Sequence, residues 1–199
     1  MNYFTSDIHF GVEENLFNDR RPFKSSRQFD KFILKLWNKT AKKTDTIYVL
    51  GDFADCDGQG YDSFKKTLPY VSKVKAKVVL IVGNNEERII KHFFNNDFES
   101  FRDYCLSLGF KEVYKTLNIN LRGEEFYLVH EPINYKKGIT NLFGHNHATG
   151  GIYLPCGLNL GCDINHFRLY SEDELFVLLD DKKRLWDKDP NLHIKFDIN

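Results

Sequence analysis

Seven side chains of the kinds that bind metal ions follow predicted strands. They are two aspartates, one asparagine and four histidines, namely Asp7, His9, Asp52, Asn84, His130, His145 and His147. Ligands of open α/β sheets bind outside the carboxyl ends of the strands, so we expect these side chains to lie together. This mixture of donors suits Mn, Fe or Zn better than Ca. Seven donors are too many for one tetrahedral site and suit two cations, roughly 3.5–4 Å apart, that share a bridging carboxylate.

The clearest of the predicted strands is Ile47–Leu50, an apolar run that leads directly into Gly51 and Asp52. A short unbroken apolar run that stops at glycine predicts a buried strand followed by a tight turn. Gly51 lets the backbone bend, so Asp52 stands at the predicted site. Asp7 and His9 follow the first predicted strand two residues apart, and an extended backbone points both side chains to the same side.

The N-terminal part of the chain predicts a strand, a helix and a second strand. The first strand covers Asn2–Thr5, and the helix begins at a capping box, Ser25–Gln28. Apolar side chains then recur at the helical period, at Phe29, Phe32, Ile33, Leu36 and Trp37. A strand–helix–strand unit places its two strands parallel to each other.

A third strand is predicted over Lys77–Val82, which is apolar and rich in β-branched residues, and it also stops at a glycine. Three helices are predicted around it, over Tyr61–Leu68, Glu86–Phe94 and Glu99–Leu108. Gly109 suits the C-cap of the last of them.

The C-terminal part predicts a hairpin and further short elements. Leu117–Leu121 alternates between apolar and polar residues, and a turn at Arg122-Gly123 leads back into Phe126–Val129. Two short strands are predicted beyond it, one after Gly150-Gly151 and one over Gly157–Cys162. A second capping box at Ser171–Glu174 leads into either a helix or a strand. No element is predicted from Asp180 onward.

Composition limits the classes of function. The 199 residues suit a single domain over positions 1–199, and 28 basic residues balance 28 acidic ones. We therefore expect no strong binding to nucleic acid. The four cysteines show no CxxC spacing, which indicates thiols in a reducing compartment. No apolar run approaches membrane-spanning length, so we expect a cytoplasmic protein without a membrane partner. The oligomeric state does not follow from the sequence.

The order of the site motifs resembles that of the calcineurin-like metallophosphoesterase family, in a small bacterial or phage-type branch. The motifs are Asp7-Ile8-His9, Gly51-Asp52, Gly83-Asn84-Asn85, His130 and Gly144-His145-Asn146-His147. The resemblance implies that the fold is of the α/β (α+β) class, with two mixed β-sheets packed as a sandwich and flanked by helices. It also implies one metal held by Asp7, His9 and His147 and a second held by Asn84, His130 and His145, with Asp52 bridging them.

The resemblance further implies a dinuclear metal-dependent phosphoesterase. A hydroxide shared by two divalent ions would attack phosphorus directly. The ions would be Mn, Fe, Zn or Ni, and Mn is the one expected in vitro. The substrate would be a small phosphodiester, or a nucleotide or pyrophosphate-type compound. Two alternatives stay open. One is a metal-binding scaffold with weakened catalysis, and the other is a nuclease.

One departure from the family pattern concerns catalysis, because Asn85 stands where the family usually has histidine. An amide can donate a hydrogen bond but does not supply a proton near neutral pH. Asn85 therefore either orients a substrate that has a good leaving group, or leaves protonation to another residue such as Glu86 or His166. The third alternative is that efficient catalysis is lost.

Substrate contacts are less evident in the sequence. Arg21, in the loop after the first motif, and His166 are the candidates for substrate binding. His92 and His193 are expected to be structural or exposed to solvent. Because 199 residues leave no room for an added recognition domain, we expect small substrates.

Overall fold

Two five-stranded sheets, each with parallel and antiparallel neighbours, form the centre of the computed structural model, which describes residues 1–54, 63–149 and 151–188. The first sheet has the strand order β10-β1-β2-β3-β4 and the second has the order β5-β6-β7-β9-β8. The first contains β1 (Asn2–Thr5), β2 (Thr46–Leu50), β3 (Lys77–Ile81), β4 (Glu112–Tyr114) and β10 (Tyr170–Ser171). The second contains β5 (Leu117–Leu121), β6 (Glu124–Leu128), β7 (Thr140–Phe143), β8 (Tyr153–Leu154) and β9 (Gly157–Asn159).

The described part of the chain also contains six α-helices and two short 3₁₀ helices. The α-helices are α1 (Glu14–Asn18), α2 (Ser26–Thr40), α3 (Ser63–Thr67), α4 (Asn84–Phe93), α5 (Phe98–Leu108) and α6 (Glu172–Lys188). The 3₁₀ helices cover Leu68–Lys73 and Pro132–Asn134. The start of the predicted Tyr61–Leu68 helix lies outside the described residues, as do Cys56 and His193.

The pairing of the strands confirms the parallel unit and the hairpin predicted from the sequence. Strands β1, β2, β3 and β4 are parallel neighbours, and β10 pairs antiparallel with β1. Strands β5 and β6 form the antiparallel hairpin, with positive φ angles at Arg122 and Gly123 in its turn. The carboxyl ends of β1, β2 and β3 therefore meet at one edge of the first sheet.

The two faces of the first sheet bury different clusters, which follows from the alternation of side chains along a strand. Leu50 and Ile81 pack in the cluster between the two sheets, together with Leu128 and Leu142 of the second sheet. Val49 and its neighbours on the same face pack instead against the helices. The fold is therefore the predicted one, with two mixed sheets packed together and flanked by helices.

Helix α2 closes the helical side of the first sheet as its periodicity predicts. Its N-cap Ser25 accepts a hydrogen bond from the Gln28 amide through Oγ, at 3.3 Å. The Gln28 side chain accepts from the Lys24 amide and not from that of Ser25, so the predicted capping box forms from one side only. Ile33 and Trp37 are fully buried.

The segment after Ser171 is a helix, which decides between the two alternatives that the sequence leaves open. The Ser171 hydroxyl accepts from the Glu174 amide, and the Glu174 carboxylate accepts from the Ser171 amide and hydroxyl. Both halves of this capping box are formed, and α6 continues past Asp180 to Lys188. Within the described part of the chain, no helix combines the length and the apolar character needed to cross a bilayer.

We predict that Leu142→Ala lowers the free energy of unfolding by about 2–5 kcal/mol, because it leaves a cavity between the sheets. Leu142 lies in the middle of β7 and is fully buried. Urea denaturation measures the loss. Ile133→Ala is the matched aliphatic control, since Ile133 is 80% exposed, and it should change stability by less than about 0.5 kcal/mol. Equal effects of the two substitutions would contradict the assignment of Leu142 to the core.

Candidate metal centre

The loops that follow β1 and β2 are joined by backbone hydrogen bonds, which brings the first two motifs side by side. The amide of Asp7 donates to the Gly51 carbonyl at 3.2 Å, and the amide of His9 donates to the Asp52 carbonyl at 2.9 Å. The Ser6 hydroxyl also donates to the carbonyl of Leu50, at 2.6 Å. The parallel register of the strands thus continues into the loops and fixes Asp7 and His9 beside Asp52.

Gly51 has a left-handed backbone, with φ of 90°, which turns the chain sharply at the end of β2. A Cβ atom at this position would collide with the imidazole of His130 and with the backbone of Gly83. Glycine is therefore required both for the turn and for the close approach of three loops. This agrees with the role that the apolar run ending at Gly51 predicts.

Five of the seven expected metal-binding residues have left-handed backbones, so the extended backbone expected at Asp7 and His9 is wrong. Their φ angles are 60° at Asp7, 53° at His9, 53° at Asp52, 67° at His145 and 46° at His147. This conformation is uncommon for residues other than glycine and costs on the order of 1–3 kcal/mol each. Such strain persists only where surrounding structure holds it, and it concentrates at functional sites.

A buried carboxylate braces the loops after β2 and β3. Glu86 is fully buried, and its side chain accepts hydrogen bonds from the amides of Gly83 and Asp52 at 2.9 Å each and of Phe53 at 3.0 Å. Burial and the neighbouring charge of Asp52 raise the pKa of Glu86 to about 7, although the backbone donors oppose the shift. Since this carboxylate is committed to backbone amides, the geometry does not favour Glu86 as the proton donor considered from the sequence.

Asp7, His9 and His147 form one cluster of possible ligands. One donor atom from each lies within 4.8 Å of the others. His9 Nε2 is buried and has no hydrogen-bond partner in the described part of the chain, which is costly for a polar atom unless something else satisfies it. The Asp7 carboxylate is fixed by the amide of His145, at 3.0 and 3.1 Å.

Asp52, Asn84, His130 and His145 meet beside this cluster. Asn84 Oδ1 lies 2.9 Å from His130 Nε2 and 3.0 Å from His145 Nδ1. His130 Nδ1 donates to the Leu50 carbonyl at 2.7 Å, so its Nε2 faces the site. Asp52 Oδ2 lies 3.5 Å from His9 Nε2 and 3.6 Å from His130 Nε2, which places this oxygen between the two groups.

The carboxylates give the site a strong preference for positive charge. Burial alone would lower the pKa of His130, but the attraction of the nearby Asp52 carboxylate raises that pKa to about 9. Hydrogen bonds to Asp163 and Asp19 likewise outweigh burial and raise the pKa of His147 to about 10. The pKa of His9 falls to about 4 because burial dominates there. Imidazole, carboxylate and amide donors in this arrangement fit divalent metal ions.

A buried arginine lies beneath the site and fixes His147 through a carboxylate. Arg21 donates through Nε and Nη2 to the Asp163 carboxylate, at 2.8 and 2.9 Å. It also donates through Nη2 to the Asp7 carbonyl and through Nη1 to the Ile8 carbonyl. His147 Nδ1 lies 3.2 Å from Asp163 Oδ2, so its Nε2 is left for another partner. The expectation that Arg21 contacts substrate is not supported, because its guanidinium is buried and already bonded to protein groups.

A cavity of about 220 Å³ opens beside these clusters. Its described walls come from the motif loops and from α1 and α4, namely His9, Val12, Glu14, Asn15, Asn18, Asp52, Asn84, Asn85, Arg88, His145 and His147. Asn85 is buried and contacts His9, with Nδ2 3.0 Å from Nδ1. His166 is exposed and does not line this cavity, so the geometry does not favour its expected contact with substrate.

Sequence reasoning missed Asp19, Asp163 and Arg88. Asp163 follows Gly161 and the apolar segment that contains β9, so the rule that identified Asp52 would also have found it. Arg88 lies three residues after Asn85 and within the helix predicted over Glu86–Phe94, so its nearness to the third motif was a usable signal. Asp19 lies in a polar loop, and no pattern in the sequence marks it.

Comparison with known proteins shows the family to which this fold and its clusters of possible metal ligands belong. The model of the calcineurin-like phosphoesterase family matches residues 3–191. This chain belongs to the calcineurin-like phosphoesterase family. Members typically bind divalent metal ions, and the described residues include clusters that could hold them.

Individual relatives are distant. The uncharacterized protein MJ1445 of Methanocaldococcus jannaschii is 22% identical over 192 residues, which cover 91% of this chain and 92% of that protein. The gene 66 protein of Mycobacterium phage L5 is 29% identical over 84 residues, or 42% of this chain and 39% of that protein. The crystal structure of AQ665 from Aquifex aeolicus, a protein of unknown function, has a TM-score of 0.61 at 22% identity and covers 89% of this chain and 98% of its own. This likeness supports the fold alone.

We predict that Asp163→Asn weakens Mn²⁺ binding by about 10–100-fold, because the variant loses the buried one of the two carboxylates, Asp163 and Asp19, that lie 3.2 Å from His147 Nδ1. Isothermal titration with Mn²⁺ measures the affinity. Asp103→Asn, a change at an exposed position on α5, is the matched control and should bind as the wild type does. Unchanged affinity in a folded Asp163→Asn protein would rule out this orienting role.

Proposed function

We propose that this protein is a dinuclear metal-dependent phosphoesterase that hydrolyses a small phosphorylated substrate. The observation that carries the proposal is the convergence of seven donor side chains at the strand ends, with His9 Nε2 buried and unsatisfied by described protein groups. Membership of the phosphoesterase family supports a hydrolase. Phosphodiesters and nucleotide or pyrophosphate-type compounds are the preferred substrates.

The assignment of ligands follows the two groups of donors. We assign Asp7, His9 and His147 to one cation and Asn84, His130 and His145 to the other. Asp52 bridges them in this proposal, which is supported by the nearly equal distances from its Oδ2 to His9 and His130. Mn²⁺ is the cation we expect to support activity best in vitro, and Fe, Zn and Ni suit the same donors.

In this proposal the cations and the protein residues have different roles in the reaction. When bound, two divalent ions activate water and neutralise the charge that develops on the phosphoryl oxygens. The protein holds the ligands rigidly, through Glu86 on one side and through Arg21 and Asp163 on the other. Asn85 borders the cavity and orients the substrate by hydrogen bonding, since a carboxamide does not act as a general acid.

Two other functions differ from this proposal in measurable ways. A metal-binding scaffold would bind cations without turnover. A nuclease would bind DNA or RNA with strong dependence on salt, which the balance of 28 basic and 28 acidic residues does not favour. The small cavity beside the ligands also favours a small substrate over a polymer.

We predict that the protein hydrolyses bis-p-nitrophenyl phosphate when Mn²⁺ is added. Its activated leaving group needs no general acid, so Asn85 should be no obstacle. Activity should fall at least about 10²-fold in Asp52→Asn and in a chelated sample, because the charge stabilisation is lost. Absence of turnover with Mn²⁺, Fe²⁺, Zn²⁺ or Ni²⁺, in a folded protein that binds these ions, would refute the enzyme and leave the scaffold.

We predict that Asn85→His increases the rate for substrates with poor leaving groups. General acid catalysis contributes about 10²–10⁴-fold where the leaving oxygen needs a proton. The dependence of kcat/KM on leaving-group pKa across a series of aryl phosphodiesters should therefore become shallower in the variant. If Asn85→His changes the rates of all esters by the same factor, position 85 does not control protonation.

A further inference from the structure

The two ring nitrogens of His9 face different neighbours. Nε2 lies 3.5 Å from Asp52 Oδ2, on the side of the proposed metal ligands, and has no hydrogen-bond partner among the described residues. Nδ1 lies 3.0 Å from the side-chain amide of Asn85. His9 is 7% exposed and Asn85 is 3% exposed, so water does not readily replace the contact between them.

The position of the imidazole proton decides which nitrogen of His9 can bind a cation. A neutral imidazole carries its proton on one nitrogen and a lone pair on the other. A cation at Nε2 therefore requires the proton at Nδ1, and the hydrogen bond made by this second nitrogen normally fixes that choice. Nδ1 then needs an acceptor, and Asn85 is the group within hydrogen-bond distance of it.

The amide of Asn85 can supply the acceptor in one of its two orientations. With Nδ2 beside His9, as in the structure, the amide donates and Nδ1 must accept, so Nε2 would carry the proton and could not bind a cation. A half turn of the amide places Oδ1 beside Nδ1 instead, and the oxygen accepts from Nδ1–H. The turn gives up the contact of 3.4 Å between Oδ1 and Arg88 Nη1, which is longer than an ordinary N–H···O hydrogen bond.

We propose that Asn85 is a positioning residue for His9, and that its Oδ1 accepts from His9 Nδ1–H when Nε2 binds the first cation. This inference rests on the assignment of His9 to that cation in the proposed function. In this orientation the N–H groups of Asn85 point away from His9, at a residue that lines the cavity. One carboxamide thus orients a metal ligand through its oxygen and the substrate through its nitrogen.

Two other proposed imidazole ligands are held in the same way. His130 Nδ1 donates to the Leu50 carbonyl at 2.7 Å, and His147 Nδ1 lies 3.2 Å from Asp163 Oδ2. In both residues an oxygen of the protein faces Nδ1 and leaves Nε2 for the site. Asn85 Oδ1 completes this pattern at His9, where the neighbour is a side chain that can turn.

Substitutions at position 85 separate the two roles of the amide. Asn85→Leu removes the acceptor and the donors, and it should weaken Mn²⁺ binding about 10–100-fold. Asn85→Asp keeps an acceptor oxygen but has no N–H, so the affinity for Mn²⁺ should not fall, while the KM for bis-p-nitrophenyl phosphate at saturating Mn²⁺ should rise about tenfold. Isothermal titration measures the affinity. Asn118→Leu, at an exposed position on β5, is the matched control and should change neither quantity.

Nitrogen NMR of the histidines gives a measurement that does not depend on turnover. In wild-type protein with ¹⁵N-labelled histidine and bound Zn²⁺, His9 should carry its proton on Nδ1 and the cation on Nε2. The variant His9→Gln identifies these signals by their loss. In Asn85→Leu the Nδ1 proton should exchange with solvent at least about tenfold faster, because its acceptor is removed.

Two results would overturn the role of Asn85. One is a proton on His9 Nε2 in the Zn²⁺-loaded wild type, and the other is an unchanged affinity for Mn²⁺ in a folded Asn85→Leu protein. Cation binding that depends on Asn85 but supports no turnover would refute the phosphoesterase and leave this role intact. A wild-type protein that binds no divalent cation would refute both.

Discussion

The carboxylate of Glu86 is the interaction on which the arrangement of the site depends most. It accepts from amides of the two loops that carry Asp52 and Asn84, and it does so where water cannot replace it. Buried amides without acceptors are costly. Separating the two loops would therefore cost free energy, because amides that now donate to Glu86 would lose their acceptor. Gly51 allows the same loops to approach His130 closely. The left-handed backbones of the proposed ligand residues lie in loops that are joined to one another in this way.

The opposite side of the site is held by buried charge. Arg21 joins Asp163 to the backbone of the first motif, and Asp163 in turn orients His147. A buried ion pair of this kind adds little net stability, but the loss of one partner leaves an unpaired charge in the interior. We therefore infer that the Arg21–Asp163 pair serves mainly to position His147 and the first motif. The proposed ligands therefore lie between two hydrogen-bonded groups and beside a cavity that α1 and α4 line with polar side chains.

The sequence predicted the strands, helices and site motifs that are marked by patterns of neighbouring residues. Apolar runs ending at glycine identified β2 and β3, and the first capping box identified the start of α2. The second capping box marked the start of an element but left open whether it was a helix or a strand. The order of the motifs identified the seven donors that the fold brings together. The sequence did not reveal which polar side chains turn inward. Arg21 lies in a loop that suggests exposure, yet its burial is decided by Asp163, which is 142 positions away. The same holds for Glu86, whose partners include backbone amides of a different loop. Long-range pairing of buried polar groups leaves no periodic signal.

Counting Mn²⁺ ions per chain, with electron paramagnetic resonance of the loaded protein, tests most directly whether the strand-end residues form one two-cation site. We predict two ions per wild-type chain and a spectrum of exchange-coupled Mn²⁺. In Asp52→Asn the coupling should disappear, because the bridging carboxylate is removed. A wild-type protein that binds at most one ion, or two ions with the spectrum of isolated Mn²⁺, would contradict the dinuclear centre.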